Sequence, residues 1–206
     1  KPPMAAAADG FHLFISHVWK DAQDQAGTLK SALRGLVPSC MTFLGVDDLK
    51  EISKVPEYVK ASDVMLVLVT ESYLTSVYCR YELIAAMDSN KPLILLLETD
   101  PNKGAVSAAE LFADVIKLQR AGSSEDHCQV AAIIASLVAS QSPNPPDPPP
   151  EVKQLLERPS AAKLSTPWTM TIQWQREKHL KQTVLKAIVA ALLRAQASTG
   201  VRQVED

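Results

Sequence analysis

The sequence predicts a single α/β domain built on a parallel β-sheet. Four short apolar segments, at residues 11–16, 41–46, 64–69 and 92–97, have the length of buried strands. Helical patterns and turn signals alternate with these segments, an arrangement that places helices against a parallel sheet. Alternating β-forming residues at 168–174 predict a fifth strand. We therefore expect five parallel strands.

The segment at residues 64–69, VMLVLV, is the central strand of this prediction. Its unbroken apolar character is typical of a parallel strand that is covered on both faces. A polar loop at residues 70–75 follows, and a helical pattern begins at about Ser76. Because ligands bind at the carboxyl edge of parallel sheets, Glu82 inside this helix is the first candidate functional residue.

The flanking elements are predicted from leucine spacing and capping residues. Residues 17–24 are predicted to form the loop after the first strand, and leucines at helical spacing predict a helix at residues 26–36. Ser107 is a predicted helix N-cap, and Glu110 three residues later completes the pattern of a capping box. This pattern predicts a helix that follows the fourth strand.

The later part of the chain departs from simple alternation. Residues 119–166 are predicted to be an insertion on the surface, because the prolines of residues 142–150 exclude both a helix and a central strand. Residues 176–197 predict a long closing helix with an apolar stripe that packs against the sheet. The closing helix therefore belongs to the same domain.

The domain is predicted to span residues 11–197 of the 206-residue chain. Residues 1–10 are expected to be a disordered lead-in, and residues 198–206 a tail. The first residue is Lys1 and not methionine, so we expect the chain to be a domain excised from a longer protein.

Composition excludes several classes of partner and site. A formal net charge of −2 argues against nucleic acid as the main partner, and no apolar run approaches the roughly 20 residues of a membrane span. The odd set of Cys40, Cys79 and Cys128 has no CxxC spacing, so neither a zinc site nor a disulfide framework is predicted. Reduced thiols are typical of a cytoplasmic protein.

Four motifs stand in order along the chain. They are FISH at residues 14–17, FLGVDDL at 43–49, SYLTSVYCRYEL at 72–83 and DPNKG at 100–104, followed by a closing QW-x-R pattern. Together they resemble the TIR (Toll/interleukin-1 receptor) domain, closest to its plant-type and algal or protist members. The third motif resembles the plant-type signature S-x-Y-x-x-S-x-W-C-x-x-E-L, with Tyr78 where tryptophan is usual.

This resemblance implies a flavodoxin-like three-layer sandwich and one of two functions. Catalytic members of the family cleave NAD+ between nicotinamide and ribose, giving nicotinamide and ADP-ribose or a cyclic isomer, and their essential glutamate corresponds to Glu82. NAD+ is then the substrate, and no cofactor is expected. Activity in the family depends on self-association, so other TIR domains are the expected partners. The alternative is a non-catalytic interaction module for homotypic assembly in signalling.

The chemistry of this cleavage fits a site with one carboxylate. Nicotinamide leaves as a neutral molecule from a cation, so no general acid is needed, and Glu82 stabilises the positive charge that develops on the ribose. Its position near a helix N-terminus is expected to keep the carboxylate ionised. The expected substrate-binding residues are His17, Val18, Trp19, Lys20, Asp47, Asp48, Leu49, Ser72, Ser76, Tyr78 and Cys79.

Other interpretations of single residues are compatible with the sequence. Asp47 and Asp48 resemble a metal pair, although adjacent carboxylates at a strand end more commonly cap the next turn, and no metal site is expected. A phosphoacceptor receiver has a similar topology, but Val69 and Thr70 stand where it needs an aspartate. Without the surrounding motif, a glutamate such as Glu82 on an amphipathic helix is interpreted as a solvated surface residue. The absence of a glycine-rich loop argues against GxGxxG-type binding of NAD+.

Overall fold

The centre of the domain is a parallel sheet. A computed structural model of the chain describes residues 10–45, 54–158, 166–174 and 178–202. The strands are β1 (Phe11–Ser16), β2 (Thr42–Leu44), β3 (Ser62–Val69), β4 (Leu93–Glu98) and β5 (Thr169–Trp174). Every neighbouring pair is parallel, and the order is β2-β1-β3-β4-β5. This is the flavodoxin-like order, which confirms the predicted fold class.

Helices cover both faces of the sheet. They are α1 (Trp19–Leu36), α2 (Val55–Lys60), α3 (Val77–Asp88), α4 (Ala108–Arg120), α5 (Glu125–Ala139), α6 (Pro150–Glu157) and α7 (Lys178–Arg202). The helices α1 and α7 share a core with one face, and α2 to α6 share a core with the other. Within the described part of the chain, no helix has the length and apolar character needed to cross a membrane.

The strand β3 explains why the sheet is buried on both sides. Met65 and Val67 belong to the core beneath α3, while Leu66 and Leu68 belong to the core beneath α1. Each of these side chains is buried, and burial of such a side chain stabilises the fold by about 1.5–3 kcal/mol. The carboxyl end of β3 therefore has a fixed position beside the end of β1.

The helix α1 begins earlier than predicted. It starts at Trp19, so most of the predicted loop at residues 17–24 is helical. The buried residues of this first part are Ala22 and Ala26, whose small side chains do not stand out in a search for leucine spacing. Val18 at the N-cap makes no side-chain hydrogen bond to the helix, so the usual start signal is absent.

The prediction of a surface insertion at residues 119–166 is wrong for α5 and α6. Val130 and Ile134 of α5, and Val152 of α6, have no exposed surface and join the core beneath α3 and α4. The prolines of residues 142–150 do lie at the surface. The proline-rich composition is confined to residues 142–150, whereas α5 is an apolar helix of the kind that is buried on most sides.

The two ends of the predicted domain are described only in part. Of the predicted lead-in, residues 1–9 lie outside the described residues. The closing helix α7 continues to Arg202, past the predicted start of the tail at residue 198. Residues 203–206 lie outside the described residues.

The loops after β3 and β4 are joined to each other. The backbone N–H of Glu71 donates to the carbonyl oxygen of Gly104 over 2.9 Å. Gly104 has a φ of 82°, a conformation that favours glycine. The N–H of Tyr73 donates to the carbonyl oxygen of Thr70 over 3.0 Å. These bonds shape the segment between β3 and α3.

Candidate active site

A cavity of about 420 Å³ lies where β1 and β3 end. The two strands are neighbours in the sheet, but α1 follows β1 onto one face and α3 follows β3 onto the other. Such a switch point is where doubly wound sheets bind ligands. The volume lies within the range of about 300–1,000 Å³ that small-molecule sites occupy.

The residues after β1 form one wall of the cavity. His17, Val18, Trp19 and Lys20, all predicted from the sequence, line it together. His17 is buried, and its Nε2 lies 2.6 Å from Oε1 of Gln23. Trp19 is 59% exposed. This wall therefore carries one buried imidazole, one exposed indole and one ammonium group.

The first turns of α3 form the opposite wall, through Ser76, Tyr78, Cys79 and Glu82. Ser76 is the N-cap, and its Oγ accepts a hydrogen bond from the N–H of Cys79 over 3.4 Å. Burial, with a smaller effect of the Glu82 charge, raises the pKa of Cys79 to about 12. The thiol donates to the carbonyl oxygen of His17 over 3.6 Å. Cys79 is therefore a neutral packing group and not a thiolate nucleophile at neutral pH.

Glu82 is the carboxylate of the cavity. It lies in the second turn of α3 and is half-buried. Burial raises the pKa of its carboxyl group to about 7, and a hydrogen bond from the Ser16 hydroxyl opposes part of this rise. The position near the helix N-terminus does not keep the pKa of Glu82 low, because the dipole effect falls off after the first turn and the loss of hydration dominates.

Ser16 and Tyr73 belong to the site, although neither is among the residues predicted from the sequence. The hydroxyl of Ser16 donates to Oε2 of Glu82, and the Ser16 Oγ lies 2.6 Å from the Tyr73 hydroxyl. Both residues are buried. Strand alternation places Ser16 on the same face as Phe14, which packs beneath α3, so the signal was present.

Ser72 is not among the residues that line the cavity. Its carbonyl oxygen accepts hydrogen bonds from the Thr75 hydroxyl over 2.9 Å and from the N–H of Ser76 over 3.1 Å. The contact between Ser72 and substrate therefore stays a prediction. Ser72 shapes the turn that leads into α3.

Three predicted site residues, Asp47, Asp48 and Leu49, lie outside the described residues. Gly45 and Val55, which are the lining residues on either side of that segment in the sequence, both face the cavity. Across the described residues, no cluster of three or more His, Cys, Asp or Glu side chains has the arrangement of a metal site.

Comparisons with known proteins cover parts of the chain. A family model described as the TIR domain matches residues 13–131. Among solved structures, the TIR domains of the activated Roq1 resistosome, which directly recognises the pathogen effector XopQ, align with 88% of this chain and 99% of their own. That alignment has 13% sequence identity and a TM-score of 0.47. A search of curated proteins finds no match. The family assignment therefore rests on the family model.

Proposed function

The chain belongs to the TIR domain family, and on that premise we propose that it is an NAD+ glycohydrolase with Glu82 as its catalytic carboxylate. One observation carries the proposal: the half-buried carboxylate of Glu82, at the signature glutamate, lines a cavity of about 420 Å³ at the switch point of the sheet. Partly buried carboxylates with a raised pKa in a crevice are characteristic of functional sites.

The reaction needs few groups from the protein. Water attacks the anomeric carbon of the nicotinamide ribose, the bond to the pyridinium nitrogen breaks, and ADP-ribose, nicotinamide and one proton are released. The leaving group departs as a neutral molecule, so the main demand is stabilisation of the positive charge on the ribose. The ionised carboxylate of Glu82 supplies that stabilisation in a site of reduced hydration.

The rest of the cavity suits a dinucleotide. Tyr78 and Trp19 are 56% and 59% exposed, and they offer aromatic faces for the nicotinamide and adenine rings on opposite walls. Lys20, beside Trp19, offers a positive charge to the diphosphate. Cys79 and Ser76 then contribute shape and a helix cap close to the ribose.

We test this proposal by measuring nicotinamide release from NAD+ with purified protein over a range of concentrations. Glu82→Gln removes the charge while keeping the size of the side chain, and we expect kcat to fall by about a hundredfold or more. Glu151→Gln makes the same chemical change at an exposed position of α6 and should leave kcat unchanged. Equal rates for the Glu82→Gln variant and wild type would remove Glu82 from the mechanism.

Activation by self-association in signalling forms part of the proposal. The helix α3 also exposes the apolar side chains of Val77 and Tyr81, which are 42% and 54% exposed, next to the catalytic wall. Release that rises more steeply than protein concentration supports activation by assembly. If tethered oligomers release no nicotinamide at all, a non-catalytic module for homotypic assembly becomes the better account.

We further propose that the domain works in the cytoplasm. Its three cysteines, Cys40, Cys79 and Cys128, are all unpaired and buried. Unpaired thiols are typical of proteins in reducing compartments. Neither nucleic acid nor a membrane is part of the proposed activity.

A further inference from the structure

Three side chains from three separate segments meet behind the cavity. Ser16 is the last residue of β1, Tyr73 lies in the segment between β3 and α3, and Glu82 lies in the second turn of α3. The Ser16 hydroxyl donates to Oε2 of Glu82 and lies 2.6 Å from the Tyr73 hydroxyl. Ser16 and Tyr73 are 1% and 0% exposed, so protein atoms surround both hydroxyl groups.

The hydrogen bonds of this group have one favoured direction. An ionised carboxylate only accepts, so the single hydroxyl hydrogen of Ser16 points to Glu82. The Ser16 oxygen then accepts from Tyr73, and both hydroxyl hydrogens have acceptors. A proton on Oε2 of Glu82 would prevent the Ser16 hydroxyl from donating to that oxygen, so this direction of the two bonds favours the ionised carboxylate.

No cation of the described chain forms an ion pair with Glu82. The groups that face it or share its cavity come from each neighbouring element: Cys79 from α3, Tyr73 from the preceding segment, His17 after β1 and Lys20 from α1. Burial raises the pKa values of Cys79 and Tyr73, so both stay neutral beside the carboxylate. The Ser16 hydroxyl, which itself accepts from Tyr73, therefore stabilises the charge of the Glu82 carboxylate.

We propose that Ser16 and Tyr73 are positioning residues that hold the ionised carboxylate of Glu82 through this directed chain of two hydroxyl hydrogen bonds. The inference rests on the proposed function of Glu82 as the catalytic carboxylate. The chain fixes one carboxylate oxygen from behind, which keeps the group aimed at the ribose without any need for a second carboxylate. Loss of these two hydrogen bonds lowers kcat more than it changes KM, because the two hydroxyl groups do not line the cavity.

The experiment compares the pH dependence of wild type with three variants. Activity of the wild type should rise with pH through about 7, as Glu82 ionises. In Ser16→Ala the midpoint should move upward by about one pH unit, since a charge-assisted donor is lost. Tyr73→Phe keeps the ring and removes only the outer hydroxyl, so its midpoint should move upward by less. Ser16→Thr restores the hydroxyl that Ser16→Ala removes, so its midpoint should return to the wild-type value.

A second readout does not depend on catalysis. The titration of the Glu82 carboxyl carbon can be followed by 13C NMR in the full chain, with Glu82→Gln identifying its signal. The same order of midpoints is expected: wild type and Ser16→Thr lowest, Tyr73→Phe higher, and Ser16→Ala highest. Thermal unfolding of each variant, measured in parallel, identifies any variant that does not fold.

The outcomes separate the two proposals. If wild type releases no nicotinamide, the proposed function fails, while the NMR titration still decides whether the hydroxyl chain supports the carboxylate. If Ser16→Ala and Tyr73→Phe leave the NMR midpoint unchanged, the positioning role is overturned whatever the enzymatic result. If activity falls by the same factor at every pH and the midpoint does not move, these residues contribute to packing alone.

Discussion

Helices α3 and α4 begin in the same way, but their glutamates, Glu82 and Glu110, lie in different environments. Both α3 and α4 follow a central strand, and both start at a serine N-cap, Ser76 and Ser107. In α4, Glu110 stands three residues after the cap and closes a capping box, which confirms the sequence prediction. In α3, Cys79 takes that position, and Glu82 stands one turn further along.

The surroundings of the two glutamates explain their different protonation. Glu110 is exposed, and hydrogen bonds from the N–H and hydroxyl groups of Ser107 lower the pKa of its carboxyl group. Glu82 loses hydration in the cavity wall, and burial raises its pKa to about 7. A glutamate in a capping box supports the helix, whereas a glutamate beyond the cap can serve a site.

The largest effect on stability is expected at the residue three positions after each serine N-cap, which is Cys79 in α3 and Glu110 in α4. Cys79→Glu places a carboxylate at a position that is 2% exposed, beside Glu82, and should destabilise the protein by about 3–5 kcal/mol. Glu110→Cys, at an exposed position, should destabilise it far less. Urea unfolding of both variants measures the difference. Equal losses of unfolding free energy in the two variants would mean that the burial of Cys79 does not determine the effect.

The two glutamates should also contribute oppositely to the pH dependence of stability. A raised folded-state pKa means that Glu82 favours the protonated form, so its contribution to the free energy of unfolding falls as pH rises from 4.5 to about 7. The fall should be on the order of 2–3 kcal/mol.

Glu110 has a lowered pKa, so its stabilising contribution is present above pH 4.5 and is lost as pH falls through the folded-state pKa. Urea unfolding between pH 3 and 8 measures both contributions. Glu82→Gln should abolish the fall between pH 4.5 and 7, while Glu110→Gln should affect only the acidic end. A fall that persists in Glu82→Gln would assign it to another group.

The smallest effect is expected from the two serine caps. Ser107→Ala removes an N-cap and should lower the free energy of unfolding by about 1 kcal/mol. Ser76→Ala should lower it by less, because the Ser107 hydroxyl also donates to Oε2 of Glu110 over 2.7 Å, whereas the residue at the same position after Ser76 is Cys79. Only Ser76 lines the cavity, so only Ser76→Ala should change KM for NAD+. A change of KM in Ser107→Ala would contradict this division.

Regular local patterns made most of the fold predictable. The apolar run that became β3 and the pair formed by Ser107 and Glu110 depend on neighbours in the sequence, and both predictions are confirmed. The start of α1 was missed, because small residues such as Ala22 form its buried stripe. The burial of α5 was missed, because the nearby prolines dominated the composition of that segment.

The candidate site was predictable where residues follow a strand end. The group from His17 to Lys20 and the group from Ser76 to Glu82 were each found from one local motif, and the fold brings them to the same cavity. Ser72 belongs to the same motif as Glu82 but is not among the residues that line the cavity, and its carbonyl oxygen accepts a hydrogen bond in the turn before α3. A motif identifies neighbours in the sequence, and side-chain direction decides which of them face a site.

The sequence by itself determined the five strands, the parallel sheet and the position of the signature glutamate, because these depend on periodicity and on short motifs. Only the tertiary structure decided how Glu82 is protonated and what holds it. Ser16 and Tyr73 are 57 residues apart in the chain, and Ser16 and Glu82 are 66 apart. Their contact exists because β1 and β3 are neighbours in the sheet, and the burial that raises the pKa of Glu82 arises from that same packing.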